Sequence, residues 1–392
     1  MSTRNRHLPK FSDSDAAVAD PALTAAARIA IRDSLAVKAG EKVLIVTNPD
    51  PDVSAISRAL YDAALDAEAR PVIVYQPVKT QMDFAEDAVI AAFGGKPDVF
   101  ISMSAEKLGK DREGIARPYV RGERKWDHVF HVQLHGDKTC RAFWSPSVTL
   151  DSFVRTVPVD YDLMKRRCGA IKDILDKAVT VRVSAPGGTD IEIGLRGRTA
   201  KSDDGDFSRP GTGGNLPAGE TFVSPENNTA AGTIVFDGSI SLHDGDIIIR
   251  EPIACQVEGG YIVSISGGEE AVALQETVSL AERNAAEYEA SGRLPAGAGA
   301  VYAKNARNIG ELGIGLNPAA TVSGNMLEDE KAFRTCHFAV GHNYDEDAPA
   351  LIHLDGLVRN PTIIAKLEDG TEVLIERDGM LAEAIETPGG KS

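Results

Sequence analysis

Between Glu311 and Asp355 the chain reads ELGIGLNPAATVSGNMLEDEKAFRTCHFAVGHNYDEDAPALIHLD, and this stretch holds its most chemically suggestive side chains. His353 and Asp355 stand two apart in ALIHLDGLV, which reads as a short strand. Residues i and i+2 of a strand share a face, so the pair can grip one ion together. His337 sits in TCHFAVG, where Cys336, Phe338 and Val340 make an apolar face and Thr335, His337 and Ala339 a small, polar one. Glu311 lies among Gly310, Gly313 and Gly315, so the backbone there is expected to turn tightly and approach a site closely. Imidazole mixed with carboxylate suits borderline divalent ions. A lone His-x-Asp pair is commonly a hydrogen-bonded structural feature. Three of the eight histidines fall between residues 337 and 353, however, and that favours an ion site.

These residues need a scaffold, and the chain supplies two kinds. Asp20-Pro21 predicts a helix start, cap followed by first-turn proline, running to near Gly40. EKVLIVTN, ARPVIVYQP and KPDVFISMS read as strands, with VSAISRALYDAALDAEA as a helix between the first two. That order predicts a parallel, right-handed α/β unit. No GxGxxG or GxxxxGK[ST] follows a strand, so this lobe is assigned no nucleotide and serves as a wall or lid. WDHVFHVQLHGDK carries His128, His131 and His135; as a strand it would align only the last two, and the three read as structural.

A boundary is placed near residue 175, after the helix DYDLMKRRCGAIKDILDKA. Beyond it the pattern alternates: VTVRVSAPGGTDIEIGL is a hairpin, and GTIVFDGSISL, GDIIIREPIACQVE and GYIVSISG continue in strands. A long helix covers about 269–291, and PTIIAKLEDGTEVLIE closes the chain as a hairpin turned at Asp369-Gly370. The expected organisation is a loose polar tail over 1–20, an α/β lobe over 21–175 (a parallel sheet with flanking helices), and an α+β, sheet-dominated metal-binding catalytic domain over 176–392.

Composition excludes some partners. A net charge of -16 argues against nucleic acid and anionic lipid, and no apolar run is long enough to span a bilayer. Residues 1–15 lack the apolar core of a signal peptide. Cys140, Cys168, Cys255 and Cys336 show no CxxC spacing, which fits reduced thiols and a cytoplasmic location.

One loop acid joins the set: GTGGNLPAGETFVSP delivers Glu220 just ahead of a strand. With ELGIGLNP, LEDEKAFRTCHFAVGHNY and HLDGLVRNPTI, this segment resembles the M29, or thermophilic aminopeptidase, family of metallo-aminopeptidases. The likeness is densest over 176–365 and weaker across the α/β lobe. The resemblance implies that Glu220, Glu311, His337, His353 and Asp355 hold two divalent ions (zinc, cobalt or manganese). It implies that Tyr344, seven positions beyond His337, is the catalytic tyrosine, and that the protein is a homodimer acting on a short peptide or other small molecule. The gap of sixteen positions from His337 to His353 is shorter than in the well-known aminopeptidases. Glu328 and Glu330 in LEDEK are read as supporting or surface carboxylates.

On that reading two ions sharing a carboxylate generate a hydroxide nucleophile near neutral pH. Tyr344 donates to the oxyanion and Glu220 carries a proton to the leaving amine. An alternative belongs to the same superfamily: mononuclear iron(II) dioxygenases that open dihydroxypyridine rings with a His, His, Asp triad. Those carry a histidine at the position of Glu311 and no glutamate at that of Glu220, which ranks the hydrolase first. Even so, His337, His353 and Asp355 form such a triad by themselves. A non-catalytic binding protein on the same scaffold ranks third.

Overall fold

The computed structural model describes residues 9–80 and 83–386. The chain divides into two units: one holds residues up to Tyr161 and takes back Gly205–Ala218, and the other holds Asp162–Asp204 and everything from Gly219 on. The boundary therefore falls earlier than residue 175, within the helix Tyr161–Leu175, and the chain crosses it more than once. The physical reason lies in that helix. Cys168 makes a thiol contact to the Glu220 carbonyl and its own carbonyl accepts from the Thr221 hydroxyl, so it packs on a strand of the second unit.

The first unit is a five-stranded sheet, all parallel, in the order Gly213–Asn215, Arg141–Pro146, Val99–Ser104, Lys42–Thr47, Arg70–Tyr75. All six residues of Val99–Ser104 are buried, as a central strand of a covered parallel sheet requires. Asp20 accepts from the Ala22 and Leu23 amides and opens the helix Pro21–Ile29, which continues as a wider turn over Ala30–Ser34. Asp50 repeats the device ahead of Pro51–Asp66.

Two expectations are revised here. Residues 1–8 of the expected tail lie outside the described residues. From Phe11 on the chain is docked rather than loose: the Phe11 and Ser12 amides donate to the buried Asp62 carboxylate at 2.9 and 2.8 Å. The three-histidine segment is no strand but a short helix, Val129–His131, leading into Val132–Gly136. Its rings follow one another tilted, at centroid distances of 5.6 and 6.3 Å, and His128 Nδ1 accepts from the Phe130 amide as a cap. Burial pushes all three imidazoles toward the neutral form.

The second unit holds two antiparallel sheets. One has eight strands, running from Tyr261–Ser266 at one edge to Met380–Leu381 at the other, and includes the expected hairpins Ala178–Ser184 with Asp190–Gly194 and Thr362–Leu367 with Glu372–Arg377. The other has seven strands in the order Gly245–Ile248, Ser239–Leu242, His353–Arg359, Thr335–Gly341, Ile309–Gly315, Glu220–Val223, Lys201–Asp203. The long helix spans Glu269–Ala290. Parallel sheet in the first unit and antiparallel sheets in the second reproduce the expected fold class. No helix among the described residues is long and apolar enough to cross a membrane.

Glu376, in the strand Glu372–Arg377, is fully buried, and neither of its carboxylate oxygens has a hydrogen-bond partner among the described residues. Burial pushes its carboxyl up to about 8. Between its ordinary 4.5 and about 8 the folded chain holds a proton that the unfolded chain releases, so stability falls as pH rises through that window. Glu376→Gln is expected to leave stability at pH 5 nearly unchanged and to raise it at pH 9 by roughly 2–5 kcal/mol, read by urea denaturation at the two pH values.

Candidate metal centre

Strand register brings the candidate ligands together. Glu220 pairs with Gly315, Gly313 with His337, Glu311 with Ala339, and Ala339 in turn with Asp355. Directly paired residues of antiparallel strands project to the same face. Glu220, Glu311, His337, His353 and Asp355 therefore share one face of the seven-stranded sheet, while Leu312, Ile314, Phe338 and Val340 fill the core on the other.

The glycines act differently from the expectation. Ile309–Gly315 is a wholly buried strand, with a register shift between Ile309 and Glu311 but no positive φ at Gly310, Gly313 or Gly315. What these glycines supply is room. A Cβ on Gly313 would sit 2.0 Å from His337 Nε2, and one on Gly315 would sit 2.1 Å from the Ala332 carbonyl. The floor is thus bare backbone, on which the imidazole and the 331–333 segment lie flat.

Over that floor His337 Nε2 lies 3.2 Å from Glu311 Oε1 and 3.4 Å from Glu220 Oε2. His353 Nε2 lies 3.4 Å from Asp355 Oδ1 and 3.9 Å from Glu311 Oε2. His353 Nδ1 donates to the His342 carbonyl at 2.8 Å, which turns Nε2 toward the carboxylates. Glu220 Oε2, Glu311 Oε2 and Asp355 Oδ1 are buried oxygens without a hydrogen-bond partner among the described residues. Two imidazole nitrogens ringed by three orphaned carboxylate oxygens are the donor set of a divalent cation, and the residues fit one. Two overlapping groups are close enough to ligate: Glu311, His337 and Asp355, and Glu220, Glu330 and His337.

The acidic run LEDEK is largely buried, with Glu330 half-buried. Glu328 accepts from the Thr321 amide and hydroxyl, and Asp329 from Ser239, Ser323 and Gly324, so the two clamp the 317–325 loop. Glu330 and Lys331 turn into the site. The Lys331 ammonium, fully buried, donates to Glu220 Oε1 at 2.6 Å and to Glu330 Oε1, with Asp203 Oδ2 at 3.8 Å. Neither Lys331 nor Asp203 stood out in the sequence. A lysine inside a charged pentad reads as surface, and Asp203 reaches the site only through its pairing with Glu220.

Crowding sets the protonation of the cluster. Burial pushes the Glu330 carboxyl up to about 8 and raises Glu311. Burial also works against the charged form of Asp355, but His353 beside it prevails and holds it at about 2. The imidazoles go the other way: burial lowers them, yet the carboxylates win and hold His337 up to about 9 and His353 up to about 10.

Tyr344 stands at the open side. The residue is 49% exposed overall, its ring lies 5.0 Å from that of His353, and His337 is fully enclosed. The Phe222 ring also lies 5.4 Å from that of Tyr344, and Lys201 donates to the Tyr344 carbonyl. Burial of the hydroxyl and the charges of Glu311 and Asp355 raise its pKa, so it stays a proton donor. The 342–352 loop that carries it is braced by buried Asn343, which accepts from the Ala348 amide, and by Arg198 against Asp345 and Asp347.

The family profile described as NicX: 2,5-dihydroxypyridine 5,6-dioxygenase matches residues 149–340. A 2,5-dihydroxypyridine 5,6-dioxygenase of Pseudomonas putida is 33% identical over 128 residues, which is 31% of this chain and 34% of that protein's length. Among solved structures, the 2,5-dihydroxypyridine dioxygenase of P. putida KT2440 superposes with a TM-score of 0.67 at 21% identity, covering 93% of this chain and 98% of that one. AmpT from Thermus thermophilus superposes with a TM-score of 0.61 at 15% identity, covering 92% and 99%. At these identities the two structures establish the fold, and AmpT carries the M29 resemblance at that level.

The metallohydrolase expectation, with its aminopeptidase and protease labels, is corrected: both sequence matches are to a dioxygenase. Geometry supplies the reason the glutamates misled. One oxygen of Glu220 is taken by Lys331, a partner that no local pattern around Glu220 announces.

Two outcomes are expected. Gly313→Ala drives a methyl into His337 and should weaken Mn(II) or Co(II) binding by about 10–100-fold with the circular dichroism unchanged. Because the imidazoles hold protons to about 9 and 10, loading an ion at pH 7.5 should release roughly two protons. Affinity should therefore climb with pH up to that range, as calorimetry in buffers of differing ionisation enthalpy will read.

Proposed function

We propose that this chain is a mononuclear non-haem iron(II) oxygenase that cleaves a small dihydroxylated heteroaromatic ring. The observation that carries the reading is that His337 and Asp355 group with Glu311 within ion-sharing distance on one buried sheet face, with His353 Nε2 beside them at 3.4 Å from Asp355 Oδ1 and 3.9 Å from Glu311 Oε2. Two imidazoles and one carboxylate are the ligand set suited to iron(II) with positions left for substrate and oxygen. The dioxygenase named by both sequence matches supports it. Iron(II) bound there supplies Lewis acidity toward a ring hydroxyl and the electrons that oxygen chemistry needs.

The protein's own groups do the rest. Glu311 touches both imidazoles and keeps Oε2 unpartnered, and burial raises its carboxyl toward neutrality. It accepts the proton of a ring hydroxyl as the substrate docks. Here the chain has a glutamate where the resemblance calls for a histidine in such dioxygenases, so the acid adds a base without removing the triad. His353 is held by the His342 carbonyl in the tautomer that leaves Nε2 free. Tyr344 and Phe222 offer aromatic faces on the open side, where a planar ring can stack.

Chelator-treated protein reloaded anaerobically with iron(II) should consume oxygen when given 2,5-dihydroxypyridine. His353→Ala and Asp355→Asn should each cut that uptake at least about a hundredfold while the fold persists. Undiminished uptake in both variants, or none with the loaded wild type across dihydroxylated pyridines, rejects the proposal.

A further inference from the structure

The second group of candidate ligands, Glu220, Glu330 and His337, already has a cation in it. Lys331 Nζ is fully buried, donates to Glu220 Oε1 at 2.6 Å and to Glu330 Oε1, and has Asp203 Oδ2 at 3.8 Å. We propose that Lys331 occupies the place of a second divalent ion, and that removing it converts a one-ion site into a two-ion site.

The geometry carries this. Glu220 spans the two halves: Oε1 is on the lysine, while Oε2 faces His337 Nε2 at 3.4 Å with no hydrogen-bond partner among the described residues. A carboxylate placed this way is in the bridging position of a binuclear centre, with an ammonium where one metal would be. Three carboxylates around one point inside a protein demand a positive charge there, and the lysine meets that demand covalently. Its approach is built into the backbone. Gly315 lacks the side chain that would collide with Ala332, so the 331–333 segment closes onto the strand, with the Asn317 amide on the Lys331 carbonyl and the Phe333 amide on the Asn317 carbonyl. Among the described residues the first group has histidines, and no ammonium, in direct contact with its carboxylates, so it is the one that calls for an ion. The inference rests on the single-ion reading above and adds why that site stops at one.

The test is metal stoichiometry of the full chain, with Co(II) as the probe, counted by native mass spectrometry and followed by the visible spectrum. The wild type should bind one ion and Lys331→Ala two. Lys331→Arg, which keeps a cation, should stay at one, and Lys331→Ala combined with Glu220→Gln should fall back to one. Lys331→Gln is measured in parallel because it keeps a polar side chain if the alanine variant does not fold. Two ions in the wild type, or one ion in folded Lys331→Gln and Lys331→Ala, overturns the proposal and leaves the single-ion reading intact. No ion in the wild type overturns both, so the two failures are told apart.

Discussion

Negative charge confined away from water governs this molecule's second unit. Asp203, Glu220, Glu311, Glu330 and Asp355 crowd one face of a sheet, and each would cost several kcal/mol if left ionised and alone. The chain answers in three ways: a fixed ammonium at Lys331, two imidazoles held in the charged form, and a Glu311 carboxyl that burial raises so that it holds a proton more readily. A divalent ion can replace the last two of these but not the first. The site is therefore poised toward cation uptake on the His353 side and self-satisfied on the Lys331 side.

Holding such charges in place falls to the backbone ladder. From Glu220 to Asp355 the ligands span most of the second unit's sequence, yet they sit on adjacent strands whose register leaves each side chain one direction to point. A slip of one residue would carry His337 into the core and Phe338 into the site. The apolar face beneath, with Leu312, Ile314, Phe338 and Val340, forbids that slip. Packing on one side of the sheet sets the chemistry on the other.

Local features of this design are legible in the chain and non-local ones are not. Helix starts at Asp20-Pro21, the hairpins, and the His353–Asp355 pairing follow from short-range rules of capping and alternation. Gly310, Gly313 and Gly315 suggest a turn because glycine is a poor strand former; only the neighbouring strand's imidazole reveals that an absent side chain is what the strand needs. LEDEK reads as supporting or surface carboxylates because four consecutive charges are rarely buried, and nothing within the pentad announces that partners at 203, 220, 239 and 321 await them. Choosing between hydrolysis and oxidation failed for the same reason. Glu220 and Glu311 are donor types, but whether a donor is free depends on a lysine reached through folding.

The bare floor also limits how the site can diversify. Any side chain at Gly313 or Gly315 strikes the imidazole or the backbone laid across it, so the pocket cannot be reshaped from below. Variation is confined to the rim, where Tyr344 and its loop face solvent, and to exchanging one donor for another at a fixed place. On a scaffold with those constraints, exchanging a donor changes which cation fits and leaves the contour as it is. Its evolvability is coordination-chemical, and a designer seeking a new reaction would do better to edit the charges than the shape.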